Sequence, residues 1–232
     1  NLDAFLEEVR PAIDRTLDQI LPKEDEAPSK LHQAMRYSGL AGGKRLRPVL
    51  CVAGYAAFRD DWKRVLPVAA ALELVHAYSL IHDDLPALDN DDLRRGRPTC
   101  HKVFGEALAI LAGDALLTRA FQVIAEIEES SSCVAVRIAA ELSRAAGTVN
   151  GMIGGQVADV EAERRDIDTD ELYYIHRSKT GALIQASLTM GALYANADEK
   201  TFKALSQYGY ELGLAFQIVD DILDVTQTSE AL

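Results

Sequence analysis

The stretch from Leu66 to His82 is nearly all apolar, and Asp83 and Asp84 follow it at once. Such a segment cannot be left in water, and it lacks the alternation of a half-exposed strand. It reads as a helix buried on most sides, so the rest of the chain must be arranged around it. The flanking sequence supplies what that requires. Leu2, Phe5, Leu6, Val9, Ile13, Leu17 and Leu21 recur with a period near 3.6, and strand-like alternation is almost nowhere seen. Lys23 to Ser29 is a polar break, and a second helix is predicted over about Lys30–Leu40. Gly42 and Gly43 end it, and Pro48 suits the first turn of the next helix. Asp83 to Thr99, with Pro86, Gly96 and Pro98, reads as loop. Further helices are predicted at about 105–127, 134–147, 149–163, 169–195 and 200–225. Their many Ala, Gly and Ser residues allow close packing around a central space. The expected fold is all-α, a many-helix bundle, with 1–232 as one domain.

The acidic balance narrows the function. With 24 basic and 36 acidic residues the net charge is -12, which lacks the basic footprint of a nucleic-acid binder. No apolar run approaches the roughly 20 residues of a membrane span, so no transmembrane segment is expected. The first residues lack the basic-then-apolar order of a signal peptide. Cys51, Cys100 and Cys133 match no zinc spacing and read as reduced thiols, so a cytoplasmic location is expected.

Two acidic clusters adjoin the apolar helices. The first is Asp83-Asp84-Leu85-Pro86-Ala87-Leu88-Asp89, followed by Asn90-Asp91-Asp92. On a regular helix Asp83 and Asp89 would lie about 240° apart. Pro86 disfavours helical geometry at Leu85 and lets the chain curl so that Asp89 returns toward Asp83. Carboxylates at a helix C-terminus face the negative end of its dipole, which calls for a bound cation. In the second cluster, Gln217, Asp220, Asp221 and Asp224 form one polar stripe on an otherwise apolar helix. Hard oxygen ligands point to Mg²⁺ or Ca²⁺, and Mg²⁺ commonly pairs a few carboxylates with substrate phosphates. Cations stand nearby in sequence: Gly42-Gly43-Lys44-Arg45-Leu46-Arg47 and Arg94-Arg95-Gly96-Arg97. Arginine forks and lysine charges suit phosphate oxygens.

The run Tyr78-Ser79-Leu80-Ile81-His82-Asp83-Asp84-Leu85-Pro86-Ala87-Leu88-Asp89, continuing through Arg94-Arg95-Gly96-Arg97-Pro98-Thr99, resembles the first aspartate-rich motif of trans-prenyl diphosphate synthases. Asp220-Asp221-Ile222-Leu223-Asp224 resembles their second, and Gly42 to Pro48, Gly154-Gly155-Gln156 and Lys179-Thr180 resemble further motifs in the family's order. The resemblance implies an isoprenoid synthase-type bundle of antiparallel helices around a deep cavity, assembled as a homodimer. It implies that Asp83, Asp84 and Asp89 on one wall, and Asp220 and Asp224 on the other, ligate Mg²⁺, with three ions per site holding an allylic diphosphate. Arg94 and Lys179 would also contact that diphosphate. Lys44, Arg47, His76 and Arg95 would hold isopentenyl diphosphate, and Thr180 and Gln217 would lie near the developing carbocation. Tyr78, with Ser79 beside it, would floor the cavity, about 7.5 Å back along the helix from Asp83.

An aromatic at this place resembles the family's farnesyl (C15) synthases, and the resemblance implies farnesyl diphosphate as product rather than C20. Family members continue past the position of Leu232 with further helices and a basic segment, so the domain is expected to lack its C-terminal helices. Two readings compete: a geranylgeranyl synthase, and a catalytically silent partner subunit on the same fold. A terpene cyclase is disfavoured, because acting on one substrate would not require the second diphosphate site of Lys44, Arg47 and His76.

Overall fold

The computed structural model describes residues 1–127, 132–163 and 165–226, with the side chains of Ser132, Asp224 and Val225 outside the description. Helix α1 (Leu2–Ile20) opens on Asn1, whose side chain accepts from the Asp3 N–H. It is followed by α2 (Ser29–Gly39), α3 (Leu46–Ala56), a 3₁₀ turn (Trp62–Val65) and α4 (Leu66–Asp83). A two-residue hairpin, β1 (Leu93–Arg94) and β2 (Arg97–Pro98), leads into α5 (Cys100–Phe104) and α6 (Glu106–Ala125). Then come α7 (Ser132–Ala146), α8 (Met152–Ala162) and α9 (Thr169–Ile175). A π turn (His176–Gly181) joins α9 to α10 (Ala182–Tyr194), and α11 (Glu199–Thr226) completes the described chain. The bundle is all-α, as the periodicity predicts, and the helix ends lie close to those expected from sequence. Its short features carry no periodic signal: the hairpin, α5, the 3₁₀ turn and the π turn.

Helix α4 is the hub, packed against α1, α2, α3, α6 and α10. Val68, Ala69, Ala70, Ala71, Leu72, Leu74 and Val75 are fully buried. Helix α10 is a second interior rod, buried at every position but Gln185. It crosses α3 at glycine: a Cβ on Gly191 would come within 2.2 Å of the Cys51 carbonyl, and one on Gly54 within 2.5 Å of the Leu188 carbonyl. The small residues of the sequence thus set backbone-to-backbone contact at this crossing. At the head of α3, Arg45 adopts a left-handed conformation with φ 51° and no side-chain cap. Its buried guanidinium holds it there, donating to Asp14 at 2.8 Å, Glu73 at 2.7 Å and the Gly39 carbonyl at 3.3 Å. Removing one partner of such a buried pair typically costs about 3–5 kcal/mol.

One sequence expectation needs correction. The stretches Trp62–Asp83 and Glu106–Ala125, at mean hydropathy 1.4 and 1.5, are long and apolar enough to cross a membrane. A span requires only an average, which isolated polar residues do not destroy. In the first, 72% of the apolar window is buried inside the bundle, which accounts for its composition. In the second only 39% is buried, and Ile110 and Leu111 stand exposed.

Candidate active site

Helix α4 delivers its C-terminus to the first acidic turn. Beyond Asp83 the chain leaves the helix, and the Asp89 N–H donates to the Asp83 carbonyl at 2.8 Å. The Asn90 N–H donates to the Leu85 carbonyl at 3.1 Å, with Asn90 at φ 54°. The curl expected from Pro86 is therefore present, and it brings Asp89 back to Asp83. Burial pushes the half-buried Asp83 carboxyl up to about 6. Lys179 and Arg94 pull against that shift, and the Asp89 and Asp84 charges add to it. Asp89 is more exposed and moves in the same direction, again chiefly through desolvation with Lys179 opposing. Both carboxylates stand in a place that disfavours their charge. Asp84 is separated from them. It is 3% exposed, and its Oδ1 accepts from Arg94 Nε at 2.7 Å. Burial raises its carboxyl and Arg94 opposes. Arg94, expected on a diphosphate, here lies on Asp84, with Asp91 3.5 Å away.

Facing this turn is the π segment. Lys179 Nζ sits 2.6 Å from Asp159 Oδ2 on α8, and its charge reaches both Asp83 and Asp89. Thr180 is half-buried in the same turn. Single π turns inside α-helices often mark functional sites.

Beside the acidic turn lies a cationic pocket. Its lining includes Tyr37, Gly42, Arg45, His76, Arg94 and Arg95. Arg95, at φ 53°, donates to the Gly42 carbonyl at 2.6 Å. Gly43 must be glycine here: its φ is 119°, and a Cβ would lie 2.2 Å from the Arg95 guanidinium. The two basic segments, far apart in sequence, thus touch. Arg47 is half-buried, and its Nε is a buried donor without a hydrogen-bond partner. Lys44 is exposed at the rim. His76 is held well below its ordinary pKa by burial first, then by Arg47, Arg95, Arg94 and Arg45. It is a neutral imidazole among four guanidiniums. Glu73, the nearby carboxylate, is taken by Arg45. The pocket therefore gathers positive charge, an arrangement that fits an anion.

Tyr78 is 6% exposed, its ring edge-on to His82, and its buried hydroxyl has no partner. Ser79 donates to the His76 carbonyl. On α11, Gln217, Asp220 and Asp221 are half-buried on the predicted stripe. The Asp224 side chain, also predicted as a ligand, lies outside the described residues. Three further residues have no role assigned from sequence, although Gln156 stands in a motif named there. Asp159 holds Lys179, both amide atoms of Gln156 are buried without partners, and His176 contacts Asp221 at 3.1 Å. The Gly154-Gly155-Gln156 motif is the signal that could have found the first two, since Gln156 and Asp159 are one helical turn apart on α8.

Among the described residues no three His, Cys, Asp or Glu side chains converge into a ready metal cage. A pair of desolvated carboxylates suits Mg²⁺ nonetheless, because that ion keeps waters and takes substrate phosphates rather than an all-protein shell.

Fold and site together describe an all-α protein in which an acidic turn stands beside a cationic pocket. The chain belongs to the polyprenyl synthetase family, whose model matches residues 28–232. It is 49% identical to a farnesyl diphosphate synthase of Geobacillus stearothermophilus, covering 100% of this chain and 78% of that protein. It is 44% identical to a geranylgeranyl diphosphate synthase of Cyanophora paradoxa, covering 100% and 77%. Against the large subunit of a heterodimeric geranylgeranyl pyrophosphate synthase of Arabidopsis thaliana it is 46% identical, covering 95% of this chain and 60% of that one. A crystal structure of an FPP/GFPP synthase from Zymomonas mobilis superposes with a TM-score of 0.92 at 41% identity, covering 98% and 83%. The family implied by the aspartate motifs is the family found.

Proposed function

We propose that the chain condenses isopentenyl diphosphate with dimethylallyl or geranyl diphosphate head-to-tail, releasing pyrophosphate and forming farnesyl diphosphate. The observation that carries this reading is the juxtaposition of a desolvated Asp83–Asp89 turn, faced by Lys179, with a pocket lined by Arg45, Arg94 and Arg95 around a His76 that the Arg47 charge also reaches. Two substrates that both bear diphosphates need both. Asp83 and Asp89, together with Asp220 and Asp224, would hold Mg²⁺, three ions per site. Asp84 stands behind them and orients Arg94. When bound, the metal neutralises charge developing on the leaving pyrophosphate.

Arg94 and Lys179 grip the allylic diphosphate; Lys44, Arg47, His76 and Arg95 grip the other. His76 enters as a neutral donor, since four guanidiniums already supply the charge. Thr180 and Gln217 lie near the carbocation, and apolar walls keep water from it. The departing pyrophosphate can take the released proton, so no protein base is required. The same reading includes a homodimer. Val103, Ile110 and Leu111 on α5 and α6 leave an apolar face for a second copy.

The test is an assay with labelled isopentenyl diphosphate, each allylic primer in turn, and Mg²⁺ or EDTA, with products resolved by carbon number. A Mg²⁺-dependent C15 product supports the reading in full. A C20 product, which the geranylgeranyl relatives make the competing outcome, keeps the chemistry and removes Tyr78 as the floor. No product from a protein that carries the family's further C-terminal helices favours the silent subunit. Tyr78→Ala is expected to lengthen the product by at least one five-carbon unit, and an unchanged product profile would clear Tyr78 of that role.

A further inference from the structure

Asp221 belongs to the second acidic cluster, yet protein donors engage both its oxygens. Gln217 Nε2 donates to Oδ1 at 3.1 Å, across one turn of α11. His176 Nε2, from the π turn, lies 3.1 Å from Oδ2. His176 is 7% exposed, and its other ring nitrogen is buried without a partner. Among the described residues one polar contact holds the imidazole, and it places a hydrogen on Nε2, facing the carboxylate.

An amide group has two unlike ends, and its orientation is set by what its nitrogen donates to. With the Gln217 nitrogen given to Asp221, its oxygen is left over. We infer that His176 is a positioning residue: it pins Asp221, and Asp221 in turn holds the Gln217 amide with its carbonyl oxygen presented to the substrate. This deepens, and rests on, the prenyl-transfer reading given above. A carbonyl dipole turned toward a developing allylic cation stabilises it, whereas the amino end would oppose it. The Gln217–Asp221 bond alone cannot enforce this. On an isolated helix such a one-turn pair is weak, and a carboxylate free to rotate toward solvent would release the amide. His176 removes that freedom from the opposite side.

The test compares His176→Leu with His176→Gln, whose terminal nitrogen can reach the place of Nε2. With Mg²⁺ and both diphosphates, His176→Leu is expected to lower kcat about tenfold or more. KM for each substrate should stay within about twofold and helix content should be unchanged, and His176→Gln should recover most of the loss. Proportional loss in KM, or no recovery by Gln, would overturn the positioning role. A second readout does not depend on turnover. In ¹⁵N-resolved spectra of the unliganded protein, the His176 ring should show the Nε2–H tautomer, and Asp221→Asn should shift that signal. A ring in the other tautomer would sink the proposal even in an active enzyme. An inactive wild-type protein that carries the further C-terminal helices and shows the expected ring signature would instead overturn the prenyl-transfer reading and leave the clamp standing.

Discussion

The two acidic clusters bear the same residues and are built in opposite ways. In the first, Asp83 and Asp89 are six residues apart, and only an abandoned helix and a backbone bond at 2.8 Å bring them together. In the second, Gln217 and Asp221 are already neighbours on an unbroken helix, and a neighbouring element completes the arrangement through His176. The first cluster spends its side chains little on each other: Asp84 is sequestered by Arg94, and Asp83 is left desolvated with its carboxyl raised. The second has Asp221 already engaged by its own protein. A turn concentrates unmet demand for a cation, whereas a helix face distributes it among partners.

The largest break in that contrast should come from Asp83→Ala. Mg²⁺-dependent turnover is expected to fall at least about a thousandfold with circular dichroism unchanged. Turnover near the wild-type level would remove Asp83 from the metal site. Next comes Pro86→Ala, which lets α4 continue and sends Asp89 about 240° around the helix. A loss of about a hundredfold is expected from this misplacement alone, and an activity close to that of the parent would mean the curl is held by its backbone bonds rather than by proline.

Asp221→Asn, on the helix-built wall, should cost only about tenfold, because it disturbs orientation and leaves the metal-facing set in place. An effect as large as that of Asp83→Ala would make the two walls equivalent. The smallest effect is thermodynamic. Asp83 has its carboxyl raised from 3.8 to about 6. The folded state therefore holds a proton that the unfolded state has lost between those pH values, and stability falls as pH rises through that window. Asp83→Asn should thus stabilise the metal-free protein at pH 8 by about 1–2 kcal/mol, after allowance for partial exposure. The gain should vanish below about pH 4. Equal melting temperatures at pH 8 would show that Asp83 is not desolvated in the free protein.

The sequence was legible where it is periodic or where a breaker stands. Leu66 to His82 announced α4, and Pro86 announced the curl that returns Asp89 to Asp83. The helix expected over 169–195 hides the π turn at His176–Gly181, because an extra residue in a helical turn changes hydrogen-bond partners without changing composition. The pairing of Asp159 with Lys179, and of His176 with Asp221, joins separate elements and leaves no local pattern. The Arg94–Asp84 contact was hidden for a related reason: the sequence shows charges, but not which of them the fold has already spent.

The hairpin that carries Arg94 and Arg95 has a consequence of its own. Adjacent residues on one rigid two-residue strand and its turn grip different walls, one on Asp84 and the other on the Gly42 carbonyl. An anion that draws Arg95 off the glycine loop pulls on the backbone that seats Arg94 against the acidic turn. The hairpin is in that sense a yoke. On the proposed placement of the two diphosphates, occupancy of either position would carry a coupling free energy at the other, and by reciprocity neither substrate's affinity would belong to its own pocket alone.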